Sequence, residues 1–258
     1  MKLFVMADME GISGIFQRSQ TGRAEANFET GRRFLTWDVN ACVAGCFEGG
    51  ASEVIVRDAH GAGYGFVWEE LDPRARYVQG VSERERIPGI AGCDGLILLG
   101  YHAMAGTREA VLEHTMSSAG WQNFWMNGRK CGEIAIDAGI AGDHGVPTVM
   151  VSGDDKTCRE AKRFLPGVVT VEVKRGLARE GALLLSREEA HRRIQAGAAK
   201  AVGRCRALKP FRVKKPVTFR LEKVSKGRLP LHRPGVRVVD GRTYEVKAAT
   251  VEEALNLL

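Results

Sequence analysis

Leu3-Phe4-Val5-Met6-Ala7-Asp8-Met9-Glu10-Gly11-Ile12-Ser13-Gly14 is the stretch whose reading decides the fold. It starts as a short apolar run of the kind that forms a buried strand, and it ends in two carboxylates and a glycine-rich turn. Residues two apart on a strand share a face, so Asp8 and Glu10 are expected to project together where the strand runs out. Two carboxylates this close repel, and the usual remedies are a shared proton, a basic partner or a metal ion. An isolated Asp-x-Glu also fits a solvated acidic turn, so the rest of the chain must decide.

Working outward, the residues from about Glu29 to Phe47 are rich in helix formers and are followed by Gly49-Gly50, a helix stop. Glu53-Val54-Ile55-Val56-Arg57-Asp58-Ala59-His60-Gly61 then repeats the pattern of an apolar strand ending in polar residues and glycine. Strand, helix and strand make a βαβ unit and imply a parallel sheet. Gly95 to His102 is a third such strand, and Pro147 to Asp155 a fourth. Ala110–Met116 and Trp121–Met126 are expected to pair as a hairpin, with Ser117 to Gly120 as the turn. Gly132 to Gly142 opens a helix with Glu133 in its first turn. A helix to about Phe164 and a strand near Val168–Val173 continue the alternation. From about Ser186 the character changes to a basic helix, strands at Val217–Val224 and Val236–Lys247, and a terminal helix from Thr250. The expected fold is α/β, a largely parallel sheet flanked by helices with a smaller C-terminal α+β unit. The expected division is residues 1–184, the catalytic α/β domain, and residues 185–258.

The 258 residues, 44% hydrophobic and 27% charged, describe an ordinary globular protein. No apolar run is long enough to span a bilayer and the first residues lack signal-peptide features, so a cytoplasmic location is expected and no membrane partner. Cys42, Cys46, Cys93, Cys131, Cys158 and Cys205 form no C-x-x-C pair and read as reduced core residues. The net charge of +7 is concentrated in the C-terminal third, around Lys209–Lys215 and Arg220–Arg242. No nucleic-acid motif accompanies it, so it reads as a solvated basic surface.

In open α/β folds, ligands bind beyond the carboxyl ends of the strands. Asp8, Glu10, His60 and His102 all fall at such ends, and topology alone would bring them to one rim. Asp, Glu and His suit a zinc-like divalent ion, and two ions sharing carboxylates form a known hydrolytic arrangement. Asp58 is expected to point the same way as His60, as an orienting group or a strand-end cap. On strand alternation His114 would face the same side as Leu112 and Met116 and, taken alone, reads as a packed histidine. His144, His191 and His232 read as structural. Gly61-Ala62-Gly63-Tyr64-Gly65 lacks the Lys-Ser/Thr of a phosphate loop, which argues against nucleotide binding.

The ordered set Asp8-Met9-Glu10-Gly11-Ile12-Ser13-Gly14, Asp58-Ala59-His60, Gly100-Tyr101-His102-Ala103, His114-Thr115-Met116, Gly132-Glu133 and Val151-Ser152-Gly153-Asp154-Asp155 resembles the zinc D-aminopeptidase family encoded with bacterial dipeptide-transport operons. The likeness is strong over roughly the first 175 residues and loose beyond. It implies that Asp8 bridges two Zn2+ ions per subunit. Glu10 and His102 complete one ion, His60 and Glu133 the other, and His114 is catalytic. It further implies a ring-shaped homodecamer that releases D-amino acids from the N-terminus of short peptides. Glu113 departs from the small polar residue the family tends to carry before the catalytic histidine, which bears on the pocket's charge.

The expected activity is therefore that of a binuclear zinc aminopeptidase acting on short D-amino-acid peptides such as D-Ala-D-Ala. A metal-activated water would be the nucleophile, with His114 as oxyanion stabiliser or as acid to the leaving amine. The competing readings are a metal-dependent hydrolase of another amide or a phosphoester, and a basic non-catalytic binding protein.

Overall fold

The computed structural model describes residues 1–227, 229–230 and 233–258; His232 lies outside them. Its elements in chain order are β1 (Lys2–Ala7), α1 (Phe28–Glu48), β2 (Glu53–Asp58), β3 (Arg76–Val78), β4 (Gly95–Leu99), β5 (Trp121–Met126) and β6 (Arg129–Lys130). There follow α2 (Glu133–Asp143), β7 (Thr148–Asp154), α3 (Asp155–Phe164), β8 (Val169–Ala178), β9 (Gly181–Leu184), α4 (Arg187–Val202), β10 (Val217–Lys223), β11 (Val236–Val238), β12 (Thr243–Ala248) and α5 (Val251–Asn256).

The main sheet has the order β3-β2-β1-β4-β7-β8-β9 and is parallel apart from the antiparallel β9 at its edge. Chain order runs outward in both directions from β1 and β4, so the switch point of the topology lies between these two strands. Alternate residues of β1 feed opposite cores. Leu3, Val5 and Ala7 pack with Leu35, Val39 and Cys42 of α1 and with Ile194 and Ala198 of α4. Phe4 and Met6 pack with Ile134 and Ala138 of α2 and with Ala161 and Phe164 of α3. Both faces of the sheet are thus buried, which explains why its strands read as continuous apolar runs. All six cysteines are free and buried.

A second, antiparallel sheet has the order β11-β12-β10-β5-β6. Its inner residues Phe124, Phe219, Leu221 and Val246 join the core beneath α2. Two sequence expectations are corrected here. Residues 110–116 are not a strand. Leu112 and Met116 have positive φ, and the backbone N–H groups of Val111 and Met116 are taken by the Asp154 and Glu133 carboxylates, so no ladder can form. Trp121–Met126 instead turns through Asn127-Gly128 to pair with β6, and pairs on its other side with β10. The residues from 185 onward are shared between the layers: α4 packs on α1 and β8, while β10 to β12 and α5 complete the second sheet with strands from 121–130. The long Val236–Lys247 strand is two strands, broken where Asp240 accepts the backbone N–H groups of Arg242 and Thr243.

Candidate metal centre

β1 and β4 run side by side, and their hydrogen bonding continues past the last strand residues. The Asp8 N–H donates to Leu99 O at 2.8 Å and the Gly11 N–H to Gly100 O at 2.7 Å. A Cβ at Gly11 would collide with the Tyr101 carbonyl. One at Gly100, where φ is +70°, would collide with the Asp8 carbonyl. These two glycines let the ends of adjacent strands touch, and that contact sets Asp8 and Glu10 against His102. The Glu10–Ile15 turn is clamped from below by Lys174 of β8. Its ammonium donates to the carbonyls of Glu10 at 2.6 Å, Ile12 at 2.8 Å and Ile15 at 2.6 Å. Asp38 of α1 fixes the far side, accepting from the Ser13 N–H at 2.8 Å and hydroxyl at 2.6 Å. His191 of α4 backs Asp38 at 3.3 Å, a structural position as expected.

The other side chains arrive on separate supports. His60 follows β2 in a loop held by Asp58, which accepts from the His60 N–H at 3.2 Å and the Gly65 N–H at 2.5 Å. Asp58 is therefore a strand-end cap. Glu133 opens α2 and accepts from the Met116 N–H at 2.6 Å, while Arg86 donates to its other oxygen at 3.2 Å. The same guanidinium and the Tyr101 hydroxyl both bond Asp137, one helical turn after Glu133. His114 sits in the irregular segment that Asp154, the N-cap of α3, secures through Val111.

The structure brings all five candidate ligands and His114 together. The His102 Nε2 lies 3.4 Å from Asp8 and 3.3 Å from Glu133, and the His60 Nε2 lies 3.3 Å from Glu10. The His114 ring stacks on His102, with centroids 4.0 Å apart, and its Nε2 is 3.9 Å from Glu133. Donor atoms of Asp8, Glu10 and His102 lie within 4.8 Å of one another, as do those of His102, His114 and Glu133. Glu10 Oε2 and His102 Nε2 are buried without a hydrogen-bond partner. The Nδ1 atoms of His102 and His114 face the carbonyls of Ala103 and Leu112 at 3.1 and 2.9 Å. A carbonyl only accepts, so each Nδ1 carries its hydrogen, and Nε2 is the atom that each ring turns inward as a potential ligand or base. Ligating histidines are oriented by second partners of this type.

The electrostatics follow from burying these groups together. Burial and the Glu10 charge raise the Asp8 carboxyl from 3.8 to about 8. Burial acts in the same direction on Glu10 and Glu133, but histidine charges override it. His60 holds Glu10 well below the usual range, and His102 holds Glu133 down to about 2. Burial disfavours charge on His60, yet Glu10 lifts it to about 9. His114 moves the other way: burial and the adjacent His102 lower its pKa from 6.5, which keeps it neutral at pH 7.

Asp8, Glu10, His60, Glu133 and His114 open onto a cavity of about 460 Å³, also lined by Arg18, Arg23, Arg86, Ser117, Ser118 and Arg179. Glu113 is turned away to accept the Gly106 N–H at 2.6 Å, so its charge does not line the cavity. Arg86, Lys174 and Asp38 were not found from sequence. Only Asp137, four residues after Glu133 on one helix face, carried a readable signal.

Known proteins resemble this chain in sequence and fold. A D-aminopeptidase of Bacillus subtilis (strain 168) is 35% identical over 215 residues, covering 82% of this chain and 77% of the relative. A solved structure, the Zn-dependent D-aminopeptidase DppA from Bacillus subtilis described as a self-compartmentalizing protease, superposes with a TM-score of 0.95. It is 32% identical, over 100% of this chain and 95% of that one. The D-aminopeptidase family model, peptidase M55, matches residues 1–258. With its site at the β1/β4 switch point and that match running end to end, the chain belongs to the D-aminopeptidase family of peptidases, enzymes that hydrolyse peptide bonds.

Proposed function

We propose that the chain is a binuclear zinc aminopeptidase that removes the N-terminal residue from short D-amino-acid peptides such as D-Ala-D-Ala. The observation that carries this reading is the pair of buried, unpartnered donors, Glu10 Oε2 and His102 Nε2, inside a cluster of three carboxylates and three imidazoles. A buried polar atom without a partner costs roughly 1–3 kcal/mol, a debt that a bound cation cancels. The donors are oxygen and imidazole nitrogen with no thiolate, a set that fits zinc.

Asp8, Glu10 and His102 would hold one ion, and His60 and Glu133 the other, with Asp8 shared. When bound, zinc supplies Lewis-acid polarisation of a peptide carbonyl and lowers the pKa of water beside it toward about 7. The residues of the chain do the rest. His114 enters the reaction neutral, with the free lone pair at Nε2, so it accepts a proton there from the attacking water and delivers it to the leaving amine. This refines the sequence expectation of an acid or oxyanion role: the acid is made during the reaction. With these carboxylates committed to the ions, a substrate's free α-amino group would bind as the neutral amine at the metal end of the cavity, which is why cleavage would begin at the N-terminus. Ser117 and Ser118 offer hydroxyls along the wall.

The self-compartmentalizing character of the relative supports a closed homo-oligomer here, with the decamer as its expected size, working in the cytoplasm. The test is metal analysis with turnover. Protein purified without chelator should carry about two zinc ions per chain and cleave D-Ala-D-Ala, while His102→Ala should lose both properties. Full activity after exhaustive chelation would refute the reading. Preference for a phosphoester panel over D-Ala-D-Ala would favour the other metallohydrolase.

A further inference from the structure

The cavity has a deep end that the aminopeptidase reading uses and an outer wall that it does not. Arg18, Arg23 and Arg179 line that wall, and all three are exposed. Among the described residues none of them pairs with a carboxylate, whereas Arg86 in the same cavity is fully engaged by Glu133 and Asp137. The loops that carry them are tied to the site. Glu180 spends its carboxylate on the backbone N–H of Arg18 at 3.0 Å, which joins the β8–β9 turn to the loop after β1. The Arg179 carbonyl accepts the Leu112 N–H at 2.8 Å, fixing that turn to the segment bearing His114. The Arg23 guanidinium lies 4.0 Å over the ring of Tyr64, in the loop bearing His60.

The cavity thus has two chemically distinct ends, the candidate metal centre at one and guanidinium groups without carboxylate partners at the other. A sphere of the cavity's volume would be about 10 Å across, and two extended residues span at most roughly 7 Å. A dipeptide whose α-amino group sits at the metal centre therefore places its own carboxylate within the reach of flexible arginine side chains. Arginine suits that group because its fork of donors matches the two oxygens.

Resting on the aminopeptidase reading, we propose that Arg18, Arg23 and Arg179 form the binding wall for the substrate's free α-carboxylate. They make the enzyme selective for short peptides with an unblocked C-terminus. The wall acts on binding, so its removal shows in KM before kcat.

The experiment compares D-Ala-D-Ala with D-alanyl-D-alaninamide, which differs by the loss of that charge. The zinc-loaded wild type should prefer the acid by roughly ten- to hundredfold in kcat/KM, the factor expected of charge-assisted hydrogen bonds. Arg23→Ala and Arg179→Ala should each reduce that ratio several-fold through KM, the triple variant that adds Arg18→Ala should bring it near one, and Arg179→Lys should recover part of it. Thermal unfolding checks that the variants remain folded. Calorimetric titration of both compounds into zinc-loaded His114→Ala protein reads binding without turnover. If neither compound is cleaved but the acid binds more tightly, the arginine wall stands and the aminopeptidase reading fails. If both are cleaved at equal efficiency, or the preference survives in the triple variant, the wall is overturned and the aminopeptidase reading is untouched.

Discussion

Lys174→Met tests whether the fold or the metal sets the position of the Asp8–Glu10 turn. Lys174 is 2% exposed, and its Nζ meets the three carbonyls of Glu10, Ile12 and Ile15. Burial lowers its pKa from 10.5 to about 8, opposed by the charges of Asp154, Asp38 and Glu10, so at pH 7 it is an ammonium with three hydrogens for three acceptors. Methionine fills the same stem volume without donors. The substitution relieves about 3 kcal/mol of charge burial, the free-energy equivalent of lowering the ammonium from 10.5 to about 8. It also strands three buried carbonyls at roughly 1–3 kcal/mol apiece, about 6 kcal/mol at mid-range. The second effect wins, and a net loss of about 3 kcal/mol is expected.

The assay is guanidinium denaturation of the zinc-free protein, followed by zinc affinity against a competing chelator. The denaturation midpoint should fall with little change in slope. Zinc affinity should drop about ten- to hundredfold, the range seen when a group that orients a ligand is removed. A midpoint within about 0.5 kcal/mol of wild type together with unchanged zinc affinity would refute the clamp, because the turn would then hold its shape unaided.

Two further outcomes are expected. Glu160 of α3 accepts the Met104 N–H at 2.8 Å through one oxygen, while its other oxygen is buried without a partner, and burial raises its carboxyl from 4.5 to about 7. Between those values the folded state holds the proton more tightly than the unfolded state. Stability is therefore lost as pH rises through the window, by up to about 3 kcal/mol above pH 7. Glu160→Gln should then be more stable than wild type at pH 8 and gain little at pH 4.5, read by denaturation at both; equal gains at the two pH values would exclude a titration effect. Arg86→Met should cost about 3–5 kcal/mol by leaving Asp137 buried without its cation. Adding Asp137→Asn should recover most of that loss, and simple additivity of the two changes would show that the pair is not coupled.

The legible parts of the molecule were those written in local pattern. β1, β2, β4 and β7 each read as an apolar run closed by polar residues because both faces of the sheet are covered. Four of the candidate side chains, Asp8, Glu10, His60 and His102, could be grouped from topology alone, since a parallel sheet gathers its strand ends. Glu133 and the role of His114 needed the family likeness. The segment 110–116 misled because Val111, Leu112 and Thr115 look like a strand, while the acceptors that pull its N–H groups out of any ladder, Asp154 and Glu133, are far away in sequence. The packing of α4 was not legible for a similar reason. The apolar face of α4 is readable, but that it lies on α1, some 150 residues earlier, is a property of the assembled sheet. Arg86 sits in the charged run Ser82-Glu83-Arg84-Glu85-Arg86, where nothing separates the one half-buried arginine from its exposed neighbours.

These long-range contacts also explain how a cluster of carboxylates survives burial. Each candidate ligand is carried by backbone that a different side chain restrains. Lys174 and Asp38 hold the turn of Glu10, Asp58 the loop of His60, Asp154 the segment of His114, and Arg86 the Glu133 carboxylate itself. None of these supports is itself a candidate ligand, so the fold supplies restraints on the site of its own, which Lys174→Met tests. The charges are arranged on the same plan: Lys174 and Arg86 lie beneath and beside the carboxylates, while the unpaired arginines face the cavity. Lys174 and Arg86 offset the clustered carboxylate charge, while the exposed arginines have no carboxylate partner among the described residues. A site built this way is preorganised, because the cost of gathering like charges is met by folding and not by the substrate.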